Sequence, residues 1–316
     1  MYQRFFGLRE SPFNVNPDPR YLFWTRPIQE ALAGLTYGIQ NRKGIILLTG
    51  EVGTGKTTLL NRLLGWLRGQ RVATAYIFNS RLGVNDLFDL MMAEFEIPCE
   101  SREKSQVVLR LNQWLLERYR AGETAVLIVD EAQNLSADVL EEIRLLTNLE
   151  TSTEKLLQIV LTGQPELEEK LKAPQVRQLR QRITLRCRTA PLTLEETFGY
   201  IAERLRIAGA NCEPIFSKEA IETVHTYACG IPRVVNLLCE HAMINSYVDS
   251  LRPVPAHIVE EVAREFQLDE IAPVAHSANS SHAVQAASAQ ALLDHLDELL
   301  NRFRQVAVRP EQERKS

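Results

Sequence analysis

An octapeptide rich in glycine carries the clearest chemical signal in the chain. Its sequence over 50–57, Gly-Glu-Val-Gly-Thr-Gly-Lys-Thr, fits the pattern GxxxxGK[ST] at every fixed position. In this pattern the glycines let backbone N–H groups point at phosphate oxygens, the lysine supplies a cation to the β- and γ-phosphates, and the threonine hydroxyl ligates Mg²⁺. The octapeptide therefore predicts a P-loop that binds ATP and Mg²⁺. The predicted contacts are Gly50, Glu51, Val52, Gly53, Thr54, Gly55, Lys56, Thr57 and Thr58.

The residues on either side of the octapeptide test whether it is a chance glycine-rich turn. An apolar run, Gly44–Thr49, leads into it, and a helical pattern starts at about Lys56. A phosphate-binding loop has to connect a buried strand to the N-terminus of a helix, because the amides at that terminus complete the cradle. The flanking sequence therefore favours a phosphate site over a chance turn.

A pair of acidic residues forms the second chemical element. The run Ala125-Val-Leu-Ile-Val ends at Asp130 and Glu131. A carboxylate at the end of a buried strand can hold Mg²⁺, so we assign Asp130 and Thr57 to the metal. Glu131 can orient and deprotonate the attacking water as a general base. Many strands end in acids, and it is the upstream P-loop that turns this pair into a hydrolysis signal.

Five short apolar runs predict the sheet that would position these residues. They are Gly44–Thr49, Val72–Phe78, Ala125–Asp130, Leu156–Thr162 and Ile183–Arg188. Continuous apolar runs are typical of strands buried on both faces, and so of a parallel sheet covered by helices. Helical patterns at about 27–40, 84–96 and 103–121 supply such helices. This part of the chain is predicted to be α/β.

Beyond Thr193 the sequence contains helical patterns only, over 195–208, 217–227, 232–248 and 255–266. A separate all-helical unit is the simplest interpretation. Aromatic residues and prolines near the start of the chain predict an ordered but irregular arm. The predicted division is an arm over 1–25, an α/β nucleotide-binding domain over 26–190, a helical lid over 191–268, a flexible linker over 269–288, an amphipathic helix over 289–308 and a disordered tail over 309–316.

Composition limits the classes of protein that fit. The chain has 316 residues and a formal net charge of −4. A general nucleic-acid coat is disfavoured, because neutralising phosphates requires a concentrated cationic face. The five cysteines, Cys99, Cys187, Cys212, Cys229 and Cys239, form no CxxC pair, which suits reduced thiols. No apolar run approaches a signal peptide or a bilayer core of ~30 Å, so we expect a cytoplasmic protein.

These motifs together resemble those of AAA+ ATPases. More narrowly, residues 2 to about 264 resemble the ExeA/GspA-type secretion ATPases, which share motifs with TnsC-like and MuB/IstB-like transposition ATPases. The stretches that carry the resemblance are Phe6-Gly-Leu8, Pro12-Phe13, Pro17-Asp-Pro19, Tyr37-Gly-Ile39, the P-loop with its neighbours over 48–58, Asp130-Glu-Ala-Gln133, Leu161-Thr-Gly-Gln-Pro-Glu-Leu167 and Gly230-Ile-Pro-Arg233. The resemblance implies an AAA+ P-loop fold with a C-terminal helical lid, and ATP hydrolysis.

The resemblance also implies roles for residues that spacing alone would not single out. Thr162, at the end of a predicted strand, is similar to the sensor 1 residue near the γ-phosphate, and Gln164 is the neighbouring candidate. Arg233 is similar to the sensor 2 arginine, which reaches from the lid to the phosphates. Asn79 corresponds to a polar switch that restrains Glu131.

An arginine-rich segment precedes and enters the fifth predicted strand. It contains Arg177, Arg180, Arg182, Arg186 and Arg188. In AAA+ rings an arginine at this place reaches the neighbouring subunit's site and stabilises charge on the transferred phosphoryl group. Arg182 is our first choice for this arginine finger and Arg180 the second. Two alternatives stay open, an arginine stripe that binds nucleic-acid phosphates and a solvated charged face.

The resemblance leaves the use of ATP open between two classes, and a third interpretation, a nucleotide-gated scaffold with little turnover, is disfavoured by the intact Asp130/Glu131 pair. One is assembly of a secretion, pilus or exopolysaccharide system of the cell envelope, by a homo-oligomeric ring or filament that meets the inner membrane through a protein partner. ExeA/GspA-type relatives typically carry a transmembrane helix and a peptidoglycan-binding domain after the ATPase region, and we expect neither here. The alternative is an ATP-dependent DNA-binding regulator. The leucine stripe over 289–308 suits either partner docking or folding back on the lid.

Overall fold

The protein forms two compact units. A computed structural model describes residues 1–14, 16–78, 82–98, 103–211 and 213–268. Among the described residues, the unit called here the α/β unit lies within 17–50 and 55–190, and the helical unit lies within 1–16, 51–54 and 191–268. The predicted linker over 269–288, amphipathic helix over 289–308 and tail over 309–316 lie outside the described residues.

A parallel sheet forms the centre of the α/β unit. Its strands within the described residues are β1 (Ile45–Thr49), β2 (Val72–Ile77), β3 (Thr124–Val129), β4 (Leu157–Gly163) and β5 (Ile183–Arg188). They pair in the order β2-β3-β4-β1-β5, and every pairing is parallel. The predicted α/β class and the five predicted strands are confirmed.

The apolar runs of β1, β3 and β4 form strands because both faces of the sheet are covered there, whereas the edge strands β2 and β5 are partly exposed. Ile45 and Leu47 of β1 pack into one hydrophobic cluster, while Ile46 and Leu48 pack into another on the opposite face. Successive side chains of a strand alternate between faces, so a strand covered on both sides has to be apolar throughout. Each Å² of apolar surface removed from water contributes ~25 cal/mol, and this stabilises the packing on both faces of the sheet.

Helices connect and cover the strands. None of the described helices is long and apolar enough to cross a membrane. The patterns above did not predict α6, α7 or α8, which have ten residues or fewer and so few turns of apolar periodicity. In chain order, the helices are α1 (Tyr2–Phe6), α2 (Arg26–Gln40), α3 (Lys56–Leu67), α4 (Val84–Glu94), α5 (Lys104–Arg120), α6 (Ala137–Leu146), α7 (Pro165–Lys170), α8 (Arg177–Arg182), α9 (Leu194–Ile207), α10 (Lys218–Ala228), α11 (Pro232–Val248) and α12 (Ala256–Glu265).

A buried arginine holds the N-terminal arm within the helical unit. The arm is not wholly irregular, because α1 precedes its prolines and ends at Gly7, whose left-handed φ of 72° only glycine adopts readily. Arg204 of α9 is only 6% exposed. Its Nε donates to the Pro12 carbonyl at 2.6 Å and its Nη2 donates to the Asn14 carbonyl at 3.2 Å. These bonds pair the buried charge with carbonyls that a proline-rich segment leaves unpaired.

The glycine of the Gly-Ile-Pro-Arg motif has a purely structural task in the helical unit. Gly230 adopts φ 72°, and a Cβ built on it would lie 2.0 Å from the Leu192 carbonyl oxygen. The Leu192 N–H donates to the Gly230 carbonyl at 2.7 Å, so the two backbones lie side by side. Only a residue without a side chain fits this close approach.

We predict that Gly230→Ala destabilises the fold much more than Gly122→Ala. Gly122 has the same φ of 72°, and a Cβ added there would have nothing within 4 Å, so it isolates the left-handed backbone cost of about 1 kcal/mol. Gly230→Ala adds the collision with Leu192 and should cost about 2 kcal/mol or more. Urea unfolding followed by circular dichroism measures both. Equal losses would contradict the packing argument.

Candidate nucleotide-binding site

The strand order brings three predicted motifs to one edge of the sheet. β4 pairs with β1 on one side and β3 on the other, and the strands are parallel, so their carboxyl ends share that edge. The octapeptide leaves β1 after Thr49, and Asp130 follows the last residue of β3. Thr162 is the next-to-last residue of β4 and pairs with Leu48 of β1. Ligands of open α/β sheets bind at such an edge.

The backbone of the P-loop has the shape that a phosphate requires. Gly53 and Gly55 adopt φ values of 76° and 95°, and a residue with a side chain would be strained at either position. Gly55 is the N-cap of α3, so Lys56, Thr57 and Thr58 form the first helical turn. The N–H groups and the positive dipole end of this turn favour an anion.

Lys56 is held ready within the loop. Its side chain is buried, with 7% of the residue exposed, and its Nζ donates to the Gly50 carbonyl at 2.7 Å. A buried ammonium is costly without partners, and a phosphate oxygen would provide a stronger one than a neutral carbonyl. Thr57, the predicted Mg²⁺ ligand, is exposed.

The first glycine of the octapeptide is required by a contact that no local sequence pattern indicates. A Cβ on Gly50 would lie 1.9 Å from the Thr189 hydroxyl oxygen and 3.1 Å from the Thr189 carbonyl oxygen. Thr189 follows β5 and donates its N–H to the Thr49 carbonyl at 2.9 Å. Thr189 therefore leaves no room for a side chain at the first residue of the P-loop.

Arg233 lies in the helical unit, beside the part of the loop that this unit contains. The Arg233 N–H donates to the Gly53 carbonyl at 3.2 Å, and a Cβ on Gly53 would lie 2.8 Å from the Arg233 Cβ. Arg233 is the second residue of α11 and is half-buried. Glu51, Val52 and Thr54 belong to the same unit. The sensor 2 assignment stays a prediction.

Asp130 is a buried carboxylate suited to a divalent cation. Only 7% of it is exposed. Burial raises the pKa of its carboxyl, and the hydrogen bonds from Tyr76 and the Glu131 amide oppose that rise without cancelling it. The nearby Lys56 charge also opposes the rise, and Mg²⁺, which prefers carboxylate oxygens, would stabilise the charged form further. The donor set therefore fits the metal that the P-loop implies.

Tyr76 is a site residue that sequence reasoning missed. Its hydroxyl donates to Asp130 Oδ2 at 2.9 Å, while the Glu131 N–H donates to Oδ1 at 2.9 Å. An aromatic residue in a strand is more often core than polar partner, so β2 gave no signal of this role. The register of β2 against β3, in which Tyr76 pairs with Ile128, carries the phenol to the carboxylate.

Glu131 is held by two amide side chains. Gln133 Nε2 donates to Glu131 Oε2 at 2.5 Å, and Gln164 Nε2 reaches the same oxygen at 3.4 Å. Glu131 itself has a left-handed φ of 51°, which is uncommon for a residue with a side chain. The other candidate partner, Asn79, lies outside the described residues.

Thr162 carries an unsatisfied hydroxyl. The residue is 0% exposed, and its Oγ1 has no hydrogen-bond partner among the described residues. A buried hydroxyl without a partner costs about 1–3 kcal/mol. An oxygen of a bound nucleotide or an ordered water would remove that cost, which is consistent with the sensor 1 prediction without testing it.

The arginines of the fifth-strand segment are not all available. Arg182 Nη1 donates to the Thr147 hydroxyl at 2.5 Å and to Asn148 Oδ1 at 2.7 Å, and Arg188 pairs with Glu168. Arg180 is exposed, and within the described ranges it forms no hydrogen bond or ion pair. The structure thus engages the first-choice arginine within its own subunit.

The fold and the P-loop define a class of protein, which comparison with known families identifies. Residues 39–171 match the family model described as AAA domain. This stretch of the chain is therefore an AAA domain. The chain is similar to general secretion pathway protein A of Aeromonas hydrophila, with 46% identity over 248 residues, or 78% of this chain and 45% of that protein. The resemblance expected from the motifs is confirmed, and the chain spans less than half the length of this relative.

Solved structures agree on the fold. The Cdc6p structure from Pyrobaculum aerophilum matches with a TM-score of 0.62 at 18% identity, covering 81% of this chain and 70% of that one. The ORC2 protein of Aeropyrum pernix in its ADP form matches with a TM-score of 0.59 at 14% identity, covering 91% and 89%. At such identities the likeness establishes the architecture alone.

We predict that Lys56→Ala abolishes Mg²⁺-dependent binding of ATP, because the loop then lacks its cation for the β- and γ-phosphates. Isothermal titration calorimetry with a non-hydrolysable ATP analogue measures this. Lys172→Ala is the matched control, since Lys172 is exposed and pairs with Glu169 on the surface. Affinity that survives in Lys56→Ala would contradict the assignment of the loop.

Proposed function

We propose that the chain hydrolyses ATP with Mg²⁺, assembles into a ring or filament when ATP is bound, and powers assembly of a secretion, pilus or exopolysaccharide system of the cell envelope. The observation that carries the hydrolysis is the acid pair. A buried carboxylate, Asp130, and a half-buried one, Glu131, end the strand two positions from the P-loop strand in the sheet. A nucleotide binder without turnover has no need of both.

The residues of the site divide the reaction between them. Lys56 and the loop amides would bind the β- and γ-phosphates, and Thr57 and Asp130 would hold Mg²⁺, which supplies positive charge to the phosphate oxygens. Glu131 would take a proton from the attacking water. The water oxygen bonds to the γ-phosphorus as the bond from that phosphorus to the β–γ bridging oxygen breaks, which gives ADP and phosphate. Tyr76 would keep Asp130 in place.

We predict that Glu131→Gln lowers the rate of ATP hydrolysis about 100-fold or more while ATP still binds, because the amide keeps the shape but cannot accept the proton. Phosphate release and calorimetry measure the two quantities. Glu142→Gln is the control, an acid on α6 whose partner is Lys104. Hydrolysis at the wild-type rate in Glu131→Gln would overturn the assignment of the base.

An arginine from a neighbouring subunit would complete the site. Arg180 suits this role better than its position in the sequence suggested, since it is exposed at the end of α8. Arg182 would first have to release Thr147 and Asn148. An arginine acting in trans requires contact between subunits, which is the support for assembly into a ring or filament.

We predict that Arg180→Ala lowers hydrolysis on the order of 1,000-fold in the assembled protein, and that mixing it with Glu131→Gln restores part of the activity. In mixed assemblies some sites receive an intact Glu131 from one subunit and an intact Arg180 from the next. Arg177→Ala, an exposed arginine of the same helix, is the control. Loss of activity in Arg182→Ala instead would transfer the role to Arg182.

The envelope role rests on similarity to a protein whose name refers to general secretion. It would involve a membrane or envelope protein as partner, with this chain peripheral at the inner membrane. Cells that express Glu131→Gln beside the wild-type protein should assemble the envelope system poorly, because inactive subunits enter the same assemblies. Salt-sensitive, ATP-dependent DNA binding in a filter assay would instead support a DNA regulator. Normal envelope assembly would contradict the proposal.

A further inference from the structure

We propose that Gln133 is a positioning residue that orients Glu131 for its work as the general base, with Gln164 as a weaker second support. This inference rests on the proposed hydrolysis and assigns a task to an amide that the sequence motif contains without explaining. Gln133 contacts no reacting atom. It acts through the carboxylate that it holds.

The first step is the geometry of the hydrogen bonds. Gln133 Nε2 lies 2.5 Å from Glu131 Oε2, and the Gln164 Nε2 lies 3.4 Å from the same oxygen. No donor of the described residues reaches the other carboxylate oxygen, Oε1. Among the described residues, therefore, one oxygen is held, and the other can accept a proton.

The second step is that the Gln133 amide is itself held at both ends. Its Oε1 accepts the backbone N–H of Gln164 at 3.2 Å, which directs its NH₂ group toward Glu131. A Cβ on Gly163 would lie 2.7 Å from that Oε1, so the glycine at the end of β4 makes room for the amide. The side chain thus joins the end of β4 to the acid after β3.

The third step is the backbone that carries Gln133. Lys170 of α7 donates through Nζ to the Gln133 carbonyl at 2.5 Å and to the Leu135 carbonyl at 2.7 Å. The short 3₁₀ turn over 132–134 follows Glu131, whose left-handed φ of 51° sets the direction in which the chain leaves the strand. Backbone and side chain are both fixed, which is the condition for orienting a neighbour within a fraction of an ångström.

The consequence for the reaction is a preset direction for the base. A glutamate side chain has three rotatable bonds, and a base that points away from the water contributes little. An amide fixed on Oε2 keeps Oε1 of Glu131 directed at the position of the attacking water, without contacting the nucleotide. Loss of the amide should therefore reduce turnover while the affinity for ATP stays the same.

The test is Gln133→Met, which keeps the length of the side chain and removes the donor. We expect kcat to fall about 10- to 100-fold, the size of effect that misplacement of a reacting group produces. KM and the calorimetric affinity for a non-hydrolysable ATP analogue should stay within about two-fold of the wild type. Gln70→Met is the matched control, since Gln70 is an exposed glutamine of the same unit.

A double variant separates positioning from a general loss of structure. If Gln133 acts through Glu131, then Gln133→Met should lower kcat no further once Glu131 is already Gln. A structural defect would lower the residual rate again. Gln164→Met should reduce kcat in the same way but less, in keeping with its longer hydrogen bond of 3.4 Å. If thermal melting finds that Gln133→Met is unfolded, the kcat of Gln164→Met tests the positioning role instead.

The outcomes distinguish this inference from the proposed function. Full kcat or a higher kcat in Gln133→Met, with Glu131→Gln inactive, overturns the positioning role and leaves hydrolysis by Glu131 intact. A wild-type protein that releases no phosphate, or a Glu131→Gln variant with the wild-type rate, overturns both. Reduced kcat, unchanged ATP affinity and a non-additive double variant support the proposal.

Discussion

Parallel pairing of strands that are buried on both faces is the constraint on which the rest of this structure depends. The buried strands β1, β3 and β4 are largely apolar, so the polar groups of the site lie where these strands end. With β4 between β1 and β3, the ends of these three strands lie next to one another. The P-loop, the acid pair and Thr162 share one edge for that reason, although more than 100 residues separate the P-loop strand from β4.

The polar groups at this edge are paired among themselves in ways that a nucleotide would improve. Lys56 donates to a neutral carbonyl, Asp130 accepts from a phenol and an amide, and Thr162 Oγ1 has no partner among the described residues. Their partners limit the cost of burying Lys56 and Asp130, while the Thr162 hydroxyl has no such relief among the described residues. Phosphate and Mg²⁺ would add partners that carry charge. The same low-dielectric surroundings that make these groups costly would strengthen their contacts to a ligand.

Proteins with different functions share the AAA+ fold and this edge of its sheet. The fold alone therefore does not identify what the ATP is used for. The contacts that fix the two acids of this chain are local. One oxygen of Glu131 accepts from two amides, which follow the ends of β3 and β4. Asp130 accepts from a tyrosine of β2. The site is therefore tied to the sheet through side chains as well as through the backbone. A shift of one strand end would displace both Asp130 and Glu131, because closely packed interiors transmit strain.

The sequence by itself determined the strands, the P-loop and the acid pair, because these depend on local pattern: continuous apolar runs, glycine spacing, and acids at a strand end. It did not reveal the contacts of Tyr76 and Thr189 or the bond between Gln133 and Gln164, and it ranked Arg182 above Arg180. Each of those depends on which distant backbone lies alongside, as when Thr189 excludes any side chain at Gly50. Only the tertiary structure decides such contacts, since strand order and register join residues that no spacing along the chain connects.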